Sequence, residues 1–350
     1  MFSIRPGSTL RSERDRVARP PQLQRKLIAT LCTGVRADYV LGAKVRRIDV
    51  RASCVIVLLL VLLCWNSRTT GQAAPPLSEQ IVGQEFTYTL RQGDSLASIG
   101  ARFGVSVDLL AASNNLSARS LLEIGQPLLV DNRHIVVNGL RDGMIINIPQ
   151  RMLFYFRDGR LIRHFPVGLG RPDRPTPTGP FKIVAKVENP TWYVPRSIQE
   201  EMRREGQLVK TCVPPGPDNP LGTHWLGLSI PRYGIHGTND PTSIYQFHLY
   251  GCVLAHNDDI AQLFDDVALG AAGILVYRRL LIARVGDRVF LEVHRDIYER
   301  QPSIQEQFEA TIKTFNLEPM IDRDLAQDLI RKQEGLARDI TRTIGSRNSQ

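Results

Sequence analysis

The sequence predicts a multidomain chain: a small α+β module of βααβ order, a larger mainly-β domain, and a C-terminal helical extension. Three observations predict it. The 350 residues exceed the ~150 typical of one domain. Near residue 135 the texture changes from a compact helix-bearing segment to short apolar runs broken by Gly and Pro. After Ser303 apolar residues recur at helical spacing.

Residues 1–74 are read as a basic segment with a secretory signal or anchor. The net charge of +9 invites a nucleic-acid reading, but residues 1–74 hold 13 Lys/Arg against 4 Asp/Glu, leaving 31 against 31 elsewhere. The bulk of the protein is neutral, which removes the electrostatic footprint that nucleic acid needs. The apolar run Cys54 to Trp65 follows Arg46, Arg47 and Arg51 and precedes Gly71-Gln72-Ala73-Ala74, the order of an export signal. Its 12 residues fall short of the ~20 that span a bilayer. The expectation is a chain exported to the periplasm or cell envelope, touching the membrane only through this signal or anchor. The long stretch before the run suggests a true start near Val45, and Leu63 before Cys64 argues against lipidation. Cleavage after 73 or 74 leaves Cys212 and Cys252, too few for a disulfide framework. A bridge between them would disable the chemistry below, and Cys212 is read as a small buried or loop residue.

Residues 75–85 read as a linker and 86–131 as the small module. Phe86 to Leu90 alternates as a strand, Gly93-Asp94 turns and caps a helix with Leu96, Ile99 and Phe103 inward, and Gly104 ends it. A second helix follows Ser106, with Leu109 and Leu110 inward; Asn114-Asn115 stops it, and Leu128 to Val130 closes the unit. Residues 135–295 form the β domain, with strands at Met144–Ile148, Leu153–Phe156, Phe181–Val187, Leu226–Ile230 and Val289–Val293. A helix capped by Asn257 carries Ile260, Leu263 and Phe264 inward. Residues 303–350 read as two amphipathic helices, Ile304/Phe308/Ile312 and Leu325/Leu329/Leu336/Ile340, packed on the sheet or on a partner.

The chemistry lies between Tyr233 and Asn257. A thiol nucleophile needs an imidazole to form its thiolate at neutral pH, and a tight Gly turn lets backbone N–H groups face a developing oxyanion. Gly251-Cys252 and Ile235-His236-Gly237 supply both. Against this stand a merely buried cysteine and a histidine satisfying a core hydrogen bond. A metal reading also competes: His248, Cys252 and His256 recur every fourth residue, as zinc ligands on a helix would, with His236 as a fourth. Gly251 argues against a continuous helix there.

Tyr88-Thr-Leu-Arg-Gln-Gly-Asp-Ser-Leu-Ala-Ser-Ile, Asn114-Asn115-Leu116 and Ile124-Gly-Gln-Pro-Leu together resemble a LysM module. That resemblance implies binding to N-acetylglucosamine-containing glycan. Val167-Gly-Leu-Gly, Pro175-Thr-Pro-Thr-Gly-Pro-Phe, Asn189-Pro-Thr-Trp-Tyr, Pro214-Pro-Gly-Pro-Asp-Asn-Pro-Leu-Gly, Trp225-Leu-Gly-Leu and Ile235-His-Gly-Thr, in this order, resemble the catalytic domain of the YkuD-type L,D-transpeptidases. The resemblance implies Cys252 as nucleophile and His236 as base. Backbone N–H groups around Tyr250, Gly251 and Cys252 would line the oxyanion hole, and Gly237 and Thr238 would orient the site. The thiolate would attack the third residue of a peptidoglycan stem peptide and expel the terminal D-alanine. An amine from another stem peptide or from a wall-attached lipoprotein would resolve the thioester. No metal or cofactor is implied.

Two positions depart from that pattern: Leu249 stands at the family's Ser and Leu254 at its Arg. An arginine there orients a carboxylate or backbone through paired hydrogen bonds that leucine cannot make. Tyr250 occupies a variable position that often holds histidine, and its phenol still donates. A hydrolase of the same bonds and a non-catalytic wall-binding protein are the alternatives. Arg163, Arg171, Arg174 and Lys182 are read as contacts for acidic stem peptides or as solvated charge. Trp192, Tyr193 and Trp225 are read as cleft borders or core.

Overall fold

The computed structural model describes residues 77–300 and 303–343. The basic segment, the signal at Cys54–Trp65 and the start near Val45 lie outside the described residues, as does the end of the tail. Strand β1 (Ile81–Val82) is followed by the small module: β2 (Glu85–Thr89), α1 (Leu96–Phe103), α2 (Val107–Ser113) and β3 (Pro127–Asp131). Strands β2 and β3 pair antiparallel, Glu85 opposite Asp131 and Thr89 opposite Pro127. The two helices cover one face, and Leu90, Leu96, Ile99, Leu110, Leu128 and Val130 form the core between them.

Helix α1 is bounded as its sequence dictates, with one difference at its start. Ser95, not Asp94, is the N-cap, in a reciprocal box with Ser98. The Asp94 carboxylate instead closes the preceding turn, accepting from the Arg91 backbone N–H and the Tyr88 hydroxyl, both at 2.8 Å. At the other end Gly104 takes φ 73°, a left-handed conformation that glycine enters at little cost.

The stretch read as a linker is instead built in. Strand β1 pairs antiparallel with β4 (His134–Ile135). The Ser78 backbone bonds Ile282 and Arg284, and the Ser78 hydroxyl donates to the Val136 carbonyl at 2.8 Å. Backbone groups this well buried need partners, and these residues find them in the neighbouring sheet.

The β domain continues with β5 (Gly143–Asn147), β6 (Met152–Arg157), β7 (Arg160–Pro166), β8 (Leu169–Gly170), β9 (Gly179–Glu188) and β10 (Trp192–Tyr193). Helix α3 (Arg196–Arg204) follows, then β11 (Cys212–Val213), β12 (His224–Leu228), β13 (Gly234–His236), β14 (Phe247–Leu249) and β15 (Val253–Leu254). Helix α4 (Asn257–Asp266) and β16 (Ala272–Val276) complete it. One eight-stranded sheet runs β15-β13-β12-β9-β16-β5-β6-β7. Its inner face buries Met144, Leu153, Phe181, Leu226, Ile235 and Val253 against Ile260 and Leu263 of α4. Helix α4 starts where the sequence places it, but its cap position is His256 and no side chain caps it.

Strands β17 (Leu280–Val285) and β18 (Arg288–Val293) form a hairpin joined by β19 (Arg338–Asp339). Helices α5 (Ile304–Thr314) and α6 (Arg323–Lys332) pack on it. Phe308, Ile312 and Ile321 share one buried cluster with Leu280, Ile282, Val289 and Leu291. A boundary at residue 295 therefore cuts through a single packed unit. The second tail helix is shorter than the apolar spacing predicts. It ends at Lys332, Gln333 turns at φ 50°, and Leu336 and Ile340 are buried on the returning strand segment instead.

The small module meets the rest at the C-terminal end of α1, whose carbonyls lack intrahelical partners. The His134 imidazole bonds the Gly104 carbonyl at 2.8 Å, and the His256 imidazole the Ala101 carbonyl at 3.2 Å. His134 also bonds Glu292 at 2.8 Å. The fully buried Glu292 carboxylate further accepts from His294 at 2.9 Å, Gln150 at 3.0 Å and the Ile135 backbone N–H at 2.6 Å.

Candidate active site

Strands β12, β13 and β15 build the site. The β12–β13 pair is antiparallel with Trp225 opposite His236, and β13 pairs parallel with β15, Ile235 beside Val253 and His236 beside Leu254. Continued one step back, that register sets Cys252 beside Gly234. Side chains alternate along a strand, so positions 252 and 236 fall on the same face, on adjacent strands. The chain between them is 15 residues long, from Gly237 to Gly251.

His236 is 6% exposed. Its Nδ1 lies 2.8 Å from the Gly237 carbonyl. A carbonyl only accepts, so Nδ1 carries the proton and the Nε2 lone pair is the basic one. Burial pulls the imidazole pKa down to about 4, partly offset by that hydrogen bond. The Trp225 indole stacks on the ring with centroids 5.3 Å apart and an interplanar angle of 21°. It also lies across Gly234, where an added Cβ would come within 2.4 Å of the indole. Trp225 thus fixes the plane of the imidazole, a role its sequence context does not reveal.

Cys252 is a free, partly exposed thiol. Burial of the sulfur pushes its pKa up, opposed by a backbone hydrogen bond from Gly234. Both shifts favour the uncharged forms of the thiol and the ring. Sγ faces the Arg232 carbonyl at 3.9 Å. Gly251 before it has φ 101°, and an added Cβ would sit 2.6 Å from the Tyr233 ring. Only glycine suits both demands. The backbone N–H groups of Gly251 and Cys252 have no acceptor among the described residues.

Gly237 and Thr238 hold the base strand in place. The Asn257 Oδ1 accepts from the backbone N–H groups of Thr238 at 3.1 Å and Thr223 at 3.3 Å, and its Nδ2 donates to the Thr238 carbonyl at 2.9 Å. Asn257 therefore serves as a clamp between strands and not as the helix cap predicted for it. Thr238 is buried and its hydroxyl donates to the Asp240 carbonyl at 3.1 Å. An alanine Cβ at 237 would meet Asn257 Oδ1 at 2.1 Å. Gly237→Ala is expected to displace the clamp and cost about 1–3 kcal/mol by orphaning its donors. A thermal unfolding midpoint equal to that of the unsubstituted chain would contradict this.

Tyr250 is 41% exposed and has the Arg171 guanidinium 4.7 Å from its ring centroid. Leu254 is buried among Ile244 and Tyr245, an apolar place that accounts for the absence of an arginine. Leu249 is partly buried at the edge of the same cluster. Arg163 pairs with Asp266 and lies outside the site. Arg174 and Lys182 are exposed. Tyr193 is exposed and Trp192 partly so. Cys212, expected to be small and buried or in a loop, is an exposed residue of β11.

The zinc reading loses its premise. His248 is on β14, Cys252 in the turn before β15, and His256 at the start of α4, so no helix aligns them. Among the described residues no group of three or more His, Cys, Asp or Glu side chains is placed to hold a metal ion.

Comparison with known proteins gives two domain matches: a LysM domain over residues 88–131 and an L,D-transpeptidase catalytic domain over 141–289. The chain is 28% identical to the probable L,D-transpeptidase ErfK/SrfK of Salmonella typhimurium, over 81% of this chain and 94% of that protein. It is 25% identical to the probable L,D-transpeptidase YbiS of Escherichia coli, over 79% and 94%. With the putative L,D-transpeptidase YkuD of Bacillus subtilis it shares 31% identity, over 53% of this chain and 94% of that one.

Proposed function

The chain belongs to the YkuD-type L,D-transpeptidases, and on that premise we propose that Cys252 is its nucleophile and His236 its general base. What supports this reading is the register of β13 against β15, which, continued one residue before the strand, brings position 252 beside Gly234.

In the proposed reaction the Cys252 side chain rotates from the Arg232 carbonyl toward the imidazole. Nε2 takes the thiol proton as sulfur attacks the carbonyl carbon of the third stem residue. The oxyanion that forms meets the backbone N–H groups of Gly251 and Cys252, aided by the Tyr250 turn. On collapse the C–N bond breaks, His236 returns the proton to the departing amine, and D-alanine leaves. The acyl group stays on sulfur as a thioester. An amine from a second stem peptide or a wall-attached lipoprotein then attacks, giving its proton to Nε2, and the thiol is restored. Water in place of the amine makes the same site a hydrolase. No cofactor takes part. The LysM module binds the glycan of the same peptidoglycan, with the protein exported to the periplasm or cell envelope and held at the membrane only through its N-terminal segment.

Purified chain incubated with a stem tetrapeptide is expected to gain the mass of the acyl group while releasing one equivalent of D-alanine. The pH dependence follows from the imidazole. Its working form is neutral, and its folded pKa is lowered to about 4. Acylation therefore persists below pH 6.5, the ordinary histidine value, and declines only as pH falls through about 4. An acid limb centred near the ordinary value would contradict the depression of the imidazole by burial, and an acid limb unchanged in a His236→Ala variant would remove His236 as the base.

A further inference from the structure

Arg171 follows Gly170, whose added Cβ would sit 2.9 Å from the Gly251 Cα, and its backbone N–H donates to the Leu249 carbonyl at 2.9 Å. Its guanidinium therefore stands at the Tyr250-Gly251-Cys252 turn, against the Tyr250 ring. The Nε edge faces Asp173, with a closest approach of 2.8 Å. The Nη2 edge reaches Glu201 Oε1 at 3.4 Å, a long contact for a charged pair. The neighbouring Tyr250 phenol, with Arg171 adding to it, holds the Glu201 carboxyl below the usual carboxylate range. The guanidinium that lies against the Tyr250 ring is thus the one that reaches the Glu201 carboxylate.

That carboxylate comes from a weakly attached element. Glu201 lies on α3, which buries none of its residues and has no side-chain cap. Its flanks are exposed too, with Tyr193 and Leu208 open to solvent. Elements with so few buried contacts open at low cost. An arginine fork suits a carboxylate from any source, and the donor peptide ends in one, a single residue beyond the bond to be cut.

Building on the assignment of Cys252, we propose that Arg171 and the Tyr250 hydroxyl form the site that reads the free C-terminal carboxylate of the donor peptide, and that Glu201 occupies this site until the donor displaces it. Asp173 stays on the Nε edge and keeps the fork oriented while Nη2 changes partners. Arg171 thereby supplies, from a neighbouring strand, the guanidinium that Leu254 does not.

Binding measured without chemistry separates this proposal from the assignment of the nucleophile. In the full chain carrying Cys252→Ala, the dissociation constants of a stem tetrapeptide with a free C-terminus and of its C-terminal amide are compared by calorimetry. The acid is expected to bind more tightly than the amide, by about tenfold or more, the range of a charge-assisted hydrogen bond. Adding Arg171→Ala should erase that preference, and Arg171→Lys should restore part of it. Glu201→Gln should tighten binding of the acid by removing its competitor. An acid-to-amide ratio unchanged by Arg171→Ala, in a variant with an unaltered unfolding midpoint, would overturn the proposal whatever the fate of Cys252. Loss of the nucleophile assignment would appear instead as acylation persisting in Cys252→Ala.

Discussion

The Cys252→Ala variant is expected to gain no mass when incubated with a carbapenem, whereas the unsubstituted chain gains one adduct detectable by intact-protein mass spectrometry. A carbapenem is an acylating amide mimic, so its capture reports the first half of the reaction alone. The thiol is partly exposed and its polar contacts, to the Arg232 carbonyl and the Gly234 backbone, involve main chain alone, so alanine leaves the fold standing. Removing a nucleophile from a site whose parts act as a unit lowers the rate by about 10⁴-fold or more. Cys212 is an internal control. It is the other described cysteine and is exposed, so a nonspecific thiol reaction would label it in both proteins. An adduct unchanged in the alanine variant would refute Cys252.

The second large effect concerns stability. Glu292→Ala is expected to destabilise the chain by about 3–5 kcal/mol, the cost of leaving several buried donors without an acceptor. The carboxylate accepts from His134, His294, Gln150 and the Ile135 backbone. Both ring nitrogens of His134 face acceptors, Glu292 and the Gly104 carbonyl. Without the carboxylate, these four buried donors lose their common acceptor. The two histidines, against the penalty of burial, hold the Glu292 pKa down to about 2 from an ordinary 4.5. A depressed carboxylate adds stability above its unfolded pKa and loses it as pH falls through its folded one. The unsubstituted chain should therefore weaken between pH 4.5 and about 2, and Glu292→Gln should flatten that dependence. Urea unfolding at pH 7 and pH 3 measures both; equal stability of Glu292→Ala and the unsubstituted chain would refute the role.

Short-range order was legible where neighbouring residues decide it. Gly104 ends α1 because its left-handed turn is a local demand, and the alternating runs at Met144 and Leu153 became β5 and β6. Cys252 and His236, the proposed nucleophile and base, lie close enough in sequence for motif and spacing to pair them. What escaped was set by distant partners. Asn257 had the chemistry of a cap, but Thr223 and Thr238, far from it in sequence, claim its side chain. Leu336 and Ile340 extended a helical spacing, yet the turn at Gln333 returns them to the sheet. His134 and Glu292, 158 residues apart, gave no signal. The thiol's rise and the imidazole's fall in pKa come from burial, which only the assembled sheet reveals.

Helix α1 ends on two imidazoles, one from His134 and one from His256, the latter just beyond β15. These two contacts tie the small module to the sheet that carries Cys252. If the module holds glycan and the sulfur acts as proposed, a sugar strand would be presented at a set distance and angle, and only stems emerging at the matching rotation would come within range. The spacing of new bonds along the mesh would then be a dimension of the enzyme itself, measured out like the jaw of a fixed calliper.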